Sequence, residues 1–242
     1  MNITADNIVG ELVAKDYRTA SVFKANEIDF CCRGNRSIAE VCKHNSIEPD
    51  KLIAQLNRVT STGETGANNF ESWPLDLMVD YIEKKHHRYV ESKIPEIRQF
   101  LAKIRKVHGD RHPELIEIDE LFAQSAGDLT AHMKKEEFIL FPFIRKMEKA
   151  QQLDQPLIHP NFDSVENPIS MMKQEHDNEG VRFRKIRELA DNYVVPGDAC
   201  TTYRVSFAML EEFENDLHLH IHLENNILFP RALKMEKEVA YA

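Results

Sequence analysis

HMKKEEFILFPFIRKMEKA, residues 132–150, and HIHLENNILFPRALKMEKE, residues 220–238, are near-copies of one another, and their reading decides the fold. Both run His-x-x-x-Glu, then Ile-Leu-Phe-Pro, then Lys-Met-Glu-Lys, at an offset of 88 residues. An internal repeat of this length implies two helical hairpins related by a pseudo-twofold axis. His132 and Glu136, like His220 and Glu224, are four residues apart, so each pair projects from one helix face in adjacent turns. A single such pair is ordinary on a solvated helix face. Its repetition inside otherwise apolar segments points to metal ligation.

Outward from the repeat, three- and four-residue apolar spacing predicts long helices over 74–107, 113–149, 168–192 and 199–237, with a loop at 150–167. Pro74 and Pro113 fit a first helical turn, where the missing N–H has no partner to lose. Asn167-Pro168 reads as a cap followed by the same device. Gly109 and VVPGDA (194–199) separate the members of each hairpin. Upstream, TSTGETGANNFES (60–72) is polar and aperiodic, the character of a linker. Before it, VGELVAK, TASVFKAN, SIAEVCKHN and PDKLIAQLNRV have the spacing of short amphipathic helices, and Ser37 with Glu40 forms a capping box at the third. The fold class is therefore all-α: a four-helix up-down bundle over 74–242, a linker over 60–73, and a small helical domain over 1–59.

Residues equally far from a hairpin turn lie at one height on antiparallel neighbours. His132 lies 23 residues after Gly109 and His87 lies 22 before it; His220 lies 23 after Gly197 and His176 lies 21 before it. Four histidines and two carboxylates thus fall in one cross-section, which is how metal sites in bundle cores are built. Such a set suits two first-row metals, with each glutamate bridging both ions and each ion taking two histidines. Mixed nitrogen and oxygen donors without thiolate fit iron or manganese, and zinc is open on donor type; iron is the expected metal. The apolar stripe Val79, Ile82, Val90, Ile97, Leu101 is centred nearer His86, so periodicity favours His86, while height does not separate it from His87. His108 is ~30 Å further along the helix and belongs to the hairpin tip. His112 and His159 read as loop residues. His218 and His222 are out of register with the repeat.

A net charge of −9 from 31 basic and 40 acidic residues, with no Lys/Arg block, argues against nucleic acid as a partner. No window approaches 18 uninterrupted apolar residues and the leading positions carry no export signal, so no membrane role is expected and the cytoplasm is the expected location. Four scattered cysteines do not make a disulfide framework. Cys31 and Cys32, beside Arg33 and a capped helix start, read either as thiols of lowered pKa suited to redox or metal transfer or as partly buried small apolar residues. Cys42 reads as core and Cys200 as part of a helix start.

His132-x-x-x-Glu136-x-x-Ile-Leu-Phe-Pro, Glu175-His176-Asp177 and His220-x-x-x-Glu224-Asn-Asn-x-Leu-Phe-Pro-Arg-Ala resemble the iron-sulfur cluster repair di-iron proteins, and Asp29-Phe30-Cys31-Cys32 resembles that family's small leading domain. The similarity covers nearly the whole chain. It implies a haemerythrin-like bundle with a non-haem, carboxylate-bridged di-iron site in a bacterial cytosolic homodimer. That site would restore iron-sulfur clusters damaged by nitric oxide or peroxide, by donating iron or by binding and reducing nitric oxide. The family's first ligand histidine stands 13 residues after a helix-opening proline and eight before a second; Pro74 and Pro95 both point to His87. The implied ligands are His87, His132, Glu136, His176, His220 and Glu224, with His86 in a supporting place. The family's Cys-Cys-Gly-Gly is replaced by Cys31-Cys32-Arg33-Gly34, and the loop at 150–167 is longer than usual. The alternative is an oxygen-binding or oxygen-sensing protein of haemerythrin type, whose sites are richer in histidine.

Overall fold

In the computed structural model, which describes residues 3–61, 70–239 and 241, each short N-terminal pattern forms a helix. These are α1 (Val9–Lys15), α2 (Thr19–Ala25), α3 (Ile38–Asn45) and α4 (Pro49–Ser61). The capping box at α3 is complete: Ser37 Oγ accepts the Glu40 N–H at 3.2 Å, and the Glu40 carboxylate accepts the Ser37 N–H at 2.7 Å. Of the segment read as a linker, Thr60 and Ser61 end α4, residues 62–69 lie outside the described residues, and Phe70–Ser72 forms a 3-10 turn.

The long patterns are helical, but three of the four change pitch. The first is α5 (Leu75–Tyr81), a π segment (Ile82–His87) and α6 (Arg88–His108). Next come α7 (Glu114–Lys135), a π segment (Glu136–Leu140) and α8 (Phe141–Leu153). The third is α9 (Glu166–Leu189), unbroken. The fourth is α10 (Thr201–Leu223), a π segment (Glu224–Leu228) and α11 (Phe229–Glu238). The all-α bundle expected from the repeat is thus present, α6 packing on α7 and α10, and α7 on α9.

Two of the π segments have a visible cause. Pro142 and Pro230 offer no N–H and their rings crowd the carbonyl four residues back, so the α ladder cannot continue through the preceding turn and the chain widens there. No proline accounts for the third, Ile82–His87.

Helix ends differ from the expected ones for local reasons. The second long helix runs on to Leu153, closed by Asp154 in the left-handed region (φ 51°) and by the Gln155 N–H on the Ala150 carbonyl. α9 starts before Asn167, because Ser164 Oγ accepts the Glu166 N–H at 3.1 Å; Asn167 lies inside the first turn and donates back to the Phe162 carbonyl. It ends before 192, because Asp191, Asn192 and Tyr193 take successive positive φ values that turn the Tyr193 ring into the core. The connecting loop is correspondingly 154–165.

Two apolar clusters fill the interior. One joins the N-terminal helices, through Phe23, Leu52 and Leu56, to Phe122, Phe183 and Phe213 of the bundle. The other gathers Leu75, Met78, Ile144 and Phe229 toward the opposite end. His87, His132, Glu136, His176, His220 and Glu224 are buried between the residues of these clusters, a polar layer within the core.

The N-terminal helices approach the bundle closely because two glycines allow it. The Gly10 N–H reaches the Gly34 carbonyl at 2.7 Å, and a Cβ on Gly10 would lie 2.6 Å from Asn226 Oδ1. A Cβ on Gly34 would collide with the Phe30 carbonyl oxygen. Gly34→Ala should therefore lower stability by roughly 1–3 kcal/mol, a fall in Tm of about 2–12 °C, with faster amide exchange in α1 to α4. An unchanged melting curve and exchange pattern would show that the close approach is not needed.

Candidate metal centre

The polar layer is built from the two repeats and their helical neighbours. Glu136 and Glu224 are fully buried at the starts of matching π segments. Glu136 Oε2 lies 3.4 Å from His87 Nε2 and 3.4 Å from His132 Nε2, which come from different helices. Glu224 stands likewise between His176, at 3.2 Å, and His220, at 3.1 Å. The Nε2 atoms of His132 and His176 face each other at 3.0 Å. Donor atoms of His87, Glu136, His220 and Glu224 all lie within 4.8 Å of one another, as do those of His132, Glu136, His176 and Glu224. Each quartet could hold a metal ion, and both glutamates belong to both.

Buried polar groups in proteins are almost always paired. Here His87 Nε2, both Glu136 oxygens, Glu224 Oε2 and His220 Nδ1 have no hydrogen-bond partner. Oxygen and imidazole donors converging without protein partners fit a divalent first-row metal such as iron.

Three imidazoles are oriented from their outer nitrogens. His87 Nδ1 bonds Glu137 at 3.1 Å, His132 Nδ1 bonds Glu175 at 2.8 Å, and His176 Nδ1 bonds Asn225 Oδ1 at 2.9 Å. A proton on Nδ1 leaves Nε2 with its lone pair toward the centre. Phe141 stacks on His87 and Phe229 on His176, the same residue of each repeat.

The electrostatics follow from burial. Burial and the charge of Glu224 push the Glu136 carboxyl up to about 7. Burial acts the same way on Glu224, but His220 and His176 outweigh it and hold that carboxyl low. For His176 burial opposes the charged form, yet Glu224 overrides it and lifts the ring to about 9. Glu175, bonded to His132 and then to Lys135, falls to about 2.

All six expected ligand residues meet here. His86 is also fully buried but leans outward: its Nδ1 bonds both Asp216 oxygens at 3.1 Å while its ring stacks on His220. The π segment Ile82–His87, with its wider turn, holds the neighbouring residues His86 and His87 both fully buried, His87 toward the donor quartets and His86 toward Asp216. His218 and His222 face the N-terminal helices, packing on Phe30, and burial takes His222 down to about 3. His108 stands at the hairpin tip.

Cys31 and Cys32 need a correction. They precede α3 by several residues, away from its N-terminus, and the neighbouring charge is the Asp29 carboxylate, which accepts the N–H groups of Cys31 and Cys32 at 3.2 and 2.9 Å and pairs with Arg184. The bond to Cys32 and then burial push the Cys31 thiol well up, opposite to the lowered pKa of one reading and in keeping with the other, a buried small apolar residue. The pair is nevertheless close to the centre: Cys32 Sγ lies 3.4 Å from the His176 carbonyl, in a space that Gly180 leaves open. Asp29, Cys31 and Cys32 form a third group of donors within 4.8 Å.

Spacing missed the residues that orient the rings: Glu137, Glu175, Asn225 and Asp216. For three of them the signal was adjacency, since Glu137 and Asn225 each follow a buried glutamate and Glu175 precedes His176; Asp216 had no such signal.

A helical bundle with an internal layer of histidines and glutamates able to hold metal ions is a metal-binding bundle protein. The model of the Hemerythrin HHE cation binding domain matches residues 78–232, and the ScdA_N model, a domain of unknown function, matches residues 5–60. An iron-sulfur cluster repair protein ScdA of Staphylococcus haemolyticus is 30% identical over 227 residues, which cover 94% of this chain and 98% of the relative. Iron-sulfur cluster repair proteins YtfE of Musicola paradisiaca and Dickeya chrysanthemi are 33% and 32% identical over 228 and 231 residues, covering 94% and 96% of this chain and 96% and 98% of theirs. The chain belongs to the haemerythrin HHE cation-binding family, in its iron-sulfur cluster repair group.

Glu175→Ala should free the His132 ring and weaken metal binding about 10- to 100-fold in a chelator competition. Unchanged affinity would mean that the 2.8 Å bond does not orient the ligand.

Proposed function

We propose that this chain is a non-haem di-iron protein that repairs iron-sulfur clusters damaged by nitrosative or oxidative stress. The observation that carries the reading is the sharing of Glu136 and Glu224 between two donor quartets, an arrangement suited to two bridged ions with two histidines each. On this reading His87 and His220 serve one ion, His132 and His176 the other. The names of the relatives, all cluster repair proteins over nearly their whole length, support iron-sulfur proteins as clients. Bound iron would supply redox chemistry and open positions for nitric oxide or oxygen, or would itself be the cargo.

The chain's own residues set the terms of that chemistry. Glu175, Glu137 and Asn225 keep the imidazoles aimed inward, and Phe141 and Phe229 exclude water from two of them. A cleft of about 220 Å³ lined by Asp128, Lys135, Glu175 and Glu179 reaches His132 and His176, a polar route for a small ligand or an ion. The thiols and carboxylate of Cys31, Cys32 and Asp29 stand beside His176, which supports a part in iron transfer. The reading takes 1–59 as a small helical domain, 60–73 as a linker and 74–242 as the metal-binding bundle, in a cytoplasmic homodimer. No helix among the described residues is long and apolar enough to cross a membrane.

Protein loaded anaerobically with ferrous iron should hold two irons per chain and restore activity to an iron-sulfur enzyme inactivated by nitric oxide. The His132→Ala/Glu136→Ala double variant should lose both properties, and chelation of the wild type should lower its Tm by leaving two buried carboxylates without a cation. Full loading with no reactivation overturns the repair reading. Two irons retained in the double variant overturn the ligand assignment.

A further inference from the structure

At the end of the bundle remote from the metal donors, the last turn of α6 meets the first turn of α10. His108, the final residue of α6, is 4% exposed, and its Nε2 lies 3.2 Å from Cys200 Sγ. Arg111 Nη2 donates to His108 Nδ1 at 3.5 Å. A guanidinium cannot accept, so Nδ1 is the accepting nitrogen and the ring proton sits on Nε2, aimed at the sulfur. Tyr203 packs edge-on against His108 and against His112, whose nitrogens bond Asp198 at 3.0 Å and Glu114 at 3.1 Å; Asp198 also pairs with Arg111. The His108 imidazole is thus held through both nitrogens and by the Tyr203 ring.

Cys200 is exposed and occupies the N-cap of the 23-residue α10, where backbone N–H groups are open and the helix dipole is positive. His108 first, then the N–H groups of Tyr203 and Thr202, bring the thiol down to about 7. The other cysteines offer nothing comparable: Cys31 and Cys42 are buried, and Cys32 is half-buried against α9.

We propose that Cys200 is a modification site, a thiolate presented by His108 that exchanges with low-molecular-weight disulfides of the glutathione type and carries the resulting mixed disulfide at the tip of the bundle. The Cys200 sulfur attacks one sulfur of the disulfide, that S–S bond breaks, and the departing thiolate leaves with the electron pair and takes a proton from water. Cys200 is oxidised and one small thiol is released reduced. No second cysteine stands beside Cys200, so the adduct stays until an external thiol attacks it. His108 is a positioning residue. The site is ~30 Å along α6 from the metal donors and stands whether or not the proposed function does.

The test is peptide mapping of the full chain, metal-loaded, after brief exposure to glutathione disulfide, with iodoacetamide rates at Cys200 measured from pH 5 to 10. The adduct should fall on Cys200 ahead of Cys31, Cys32 and Cys42, and the wild-type rate should have its midpoint near pH 7. His108→Gln should move the midpoint toward the ordinary thiol range and slow exchange at pH 7 about three-fold, because a smaller thiolate population is partly offset by higher nucleophilicity, while at pH 10, where both thiols are ionised, the variant should react no more slowly than the wild type. A wild-type midpoint above pH 8, an adduct on Cys31 or Cys32 instead, or a folded His108→Gln variant with an unshifted profile each overturns the proposal.

Discussion

Two carboxylates with no solvent exposure, Glu136 and Glu224, stand in the middle of an apolar bundle, and most of the architecture answers to them. An uncompensated buried carboxylate costs on the order of several kcal/mol, so the fold must bring positive charge or donors to each. Four imidazoles arrive, one from each long helix. They do not complete it: burial and Glu224 lift Glu136 to about 7, and several polar atoms stay without a hydrogen-bond partner, an arrangement suited to a divalent cation. The apolar clusters on either side supply the stability that a polar layer of this size removes.

The same constraint explains why the repeated proline matters. A regular α helix through 132–142 would set the glutamate and the residue after it at a fixed α spacing. Pro142 and Pro230 force a wider turn at Glu136 and Glu224, so that the glutamate faces the centre while its successor reaches the outer nitrogen of a histidine on the neighbouring helix. The two halves therefore share a backbone device as well as a ligand motif.

Much of this was legible beforehand, and the part that was not has physical reasons. The candidate ligands repeat at helical spacing, and hairpin arithmetic needs only turn positions, so His132, Glu136, His176, His220 and Glu224 could be placed in one cross-section without coordinates, while His87 was picked out over His86 by the family resemblance alone. The choice between His86 and His87 could not be read from periodicity, because the stripe assumed a pitch that Ile82–His87 does not keep. Of the two readings of Cys31, the lowered pKa does not hold, because the bond to Cys32 and then burial raise its thiol, and the carboxylate beside it is Asp29. Cys200, by contrast, gains its character from His108, 92 positions away, which no local reading links to it.

The repeat also diverges where it matters most. After the buried glutamate the first copy has Glu137 and Phe138, the second Asn225 and Asn226. Glu137 accepts from His87 and from Lys134, and a carboxylate can do nothing but accept. Asn225 accepts from His176 through Oδ1 and donates to the Cys31 carbonyl through Nδ2, while Asn226 donates to the Phe30 carbonyl. An amide can face an imidazole on one side and a backbone carbonyl on the other, so only the second copy can seat the N-terminal helices. Phe138, at the place of Asn226, is left largely exposed. Two substitutions in an otherwise doubled sequence thus break the pseudo-symmetry and bring a cysteine pair to one side of the centre and not the other.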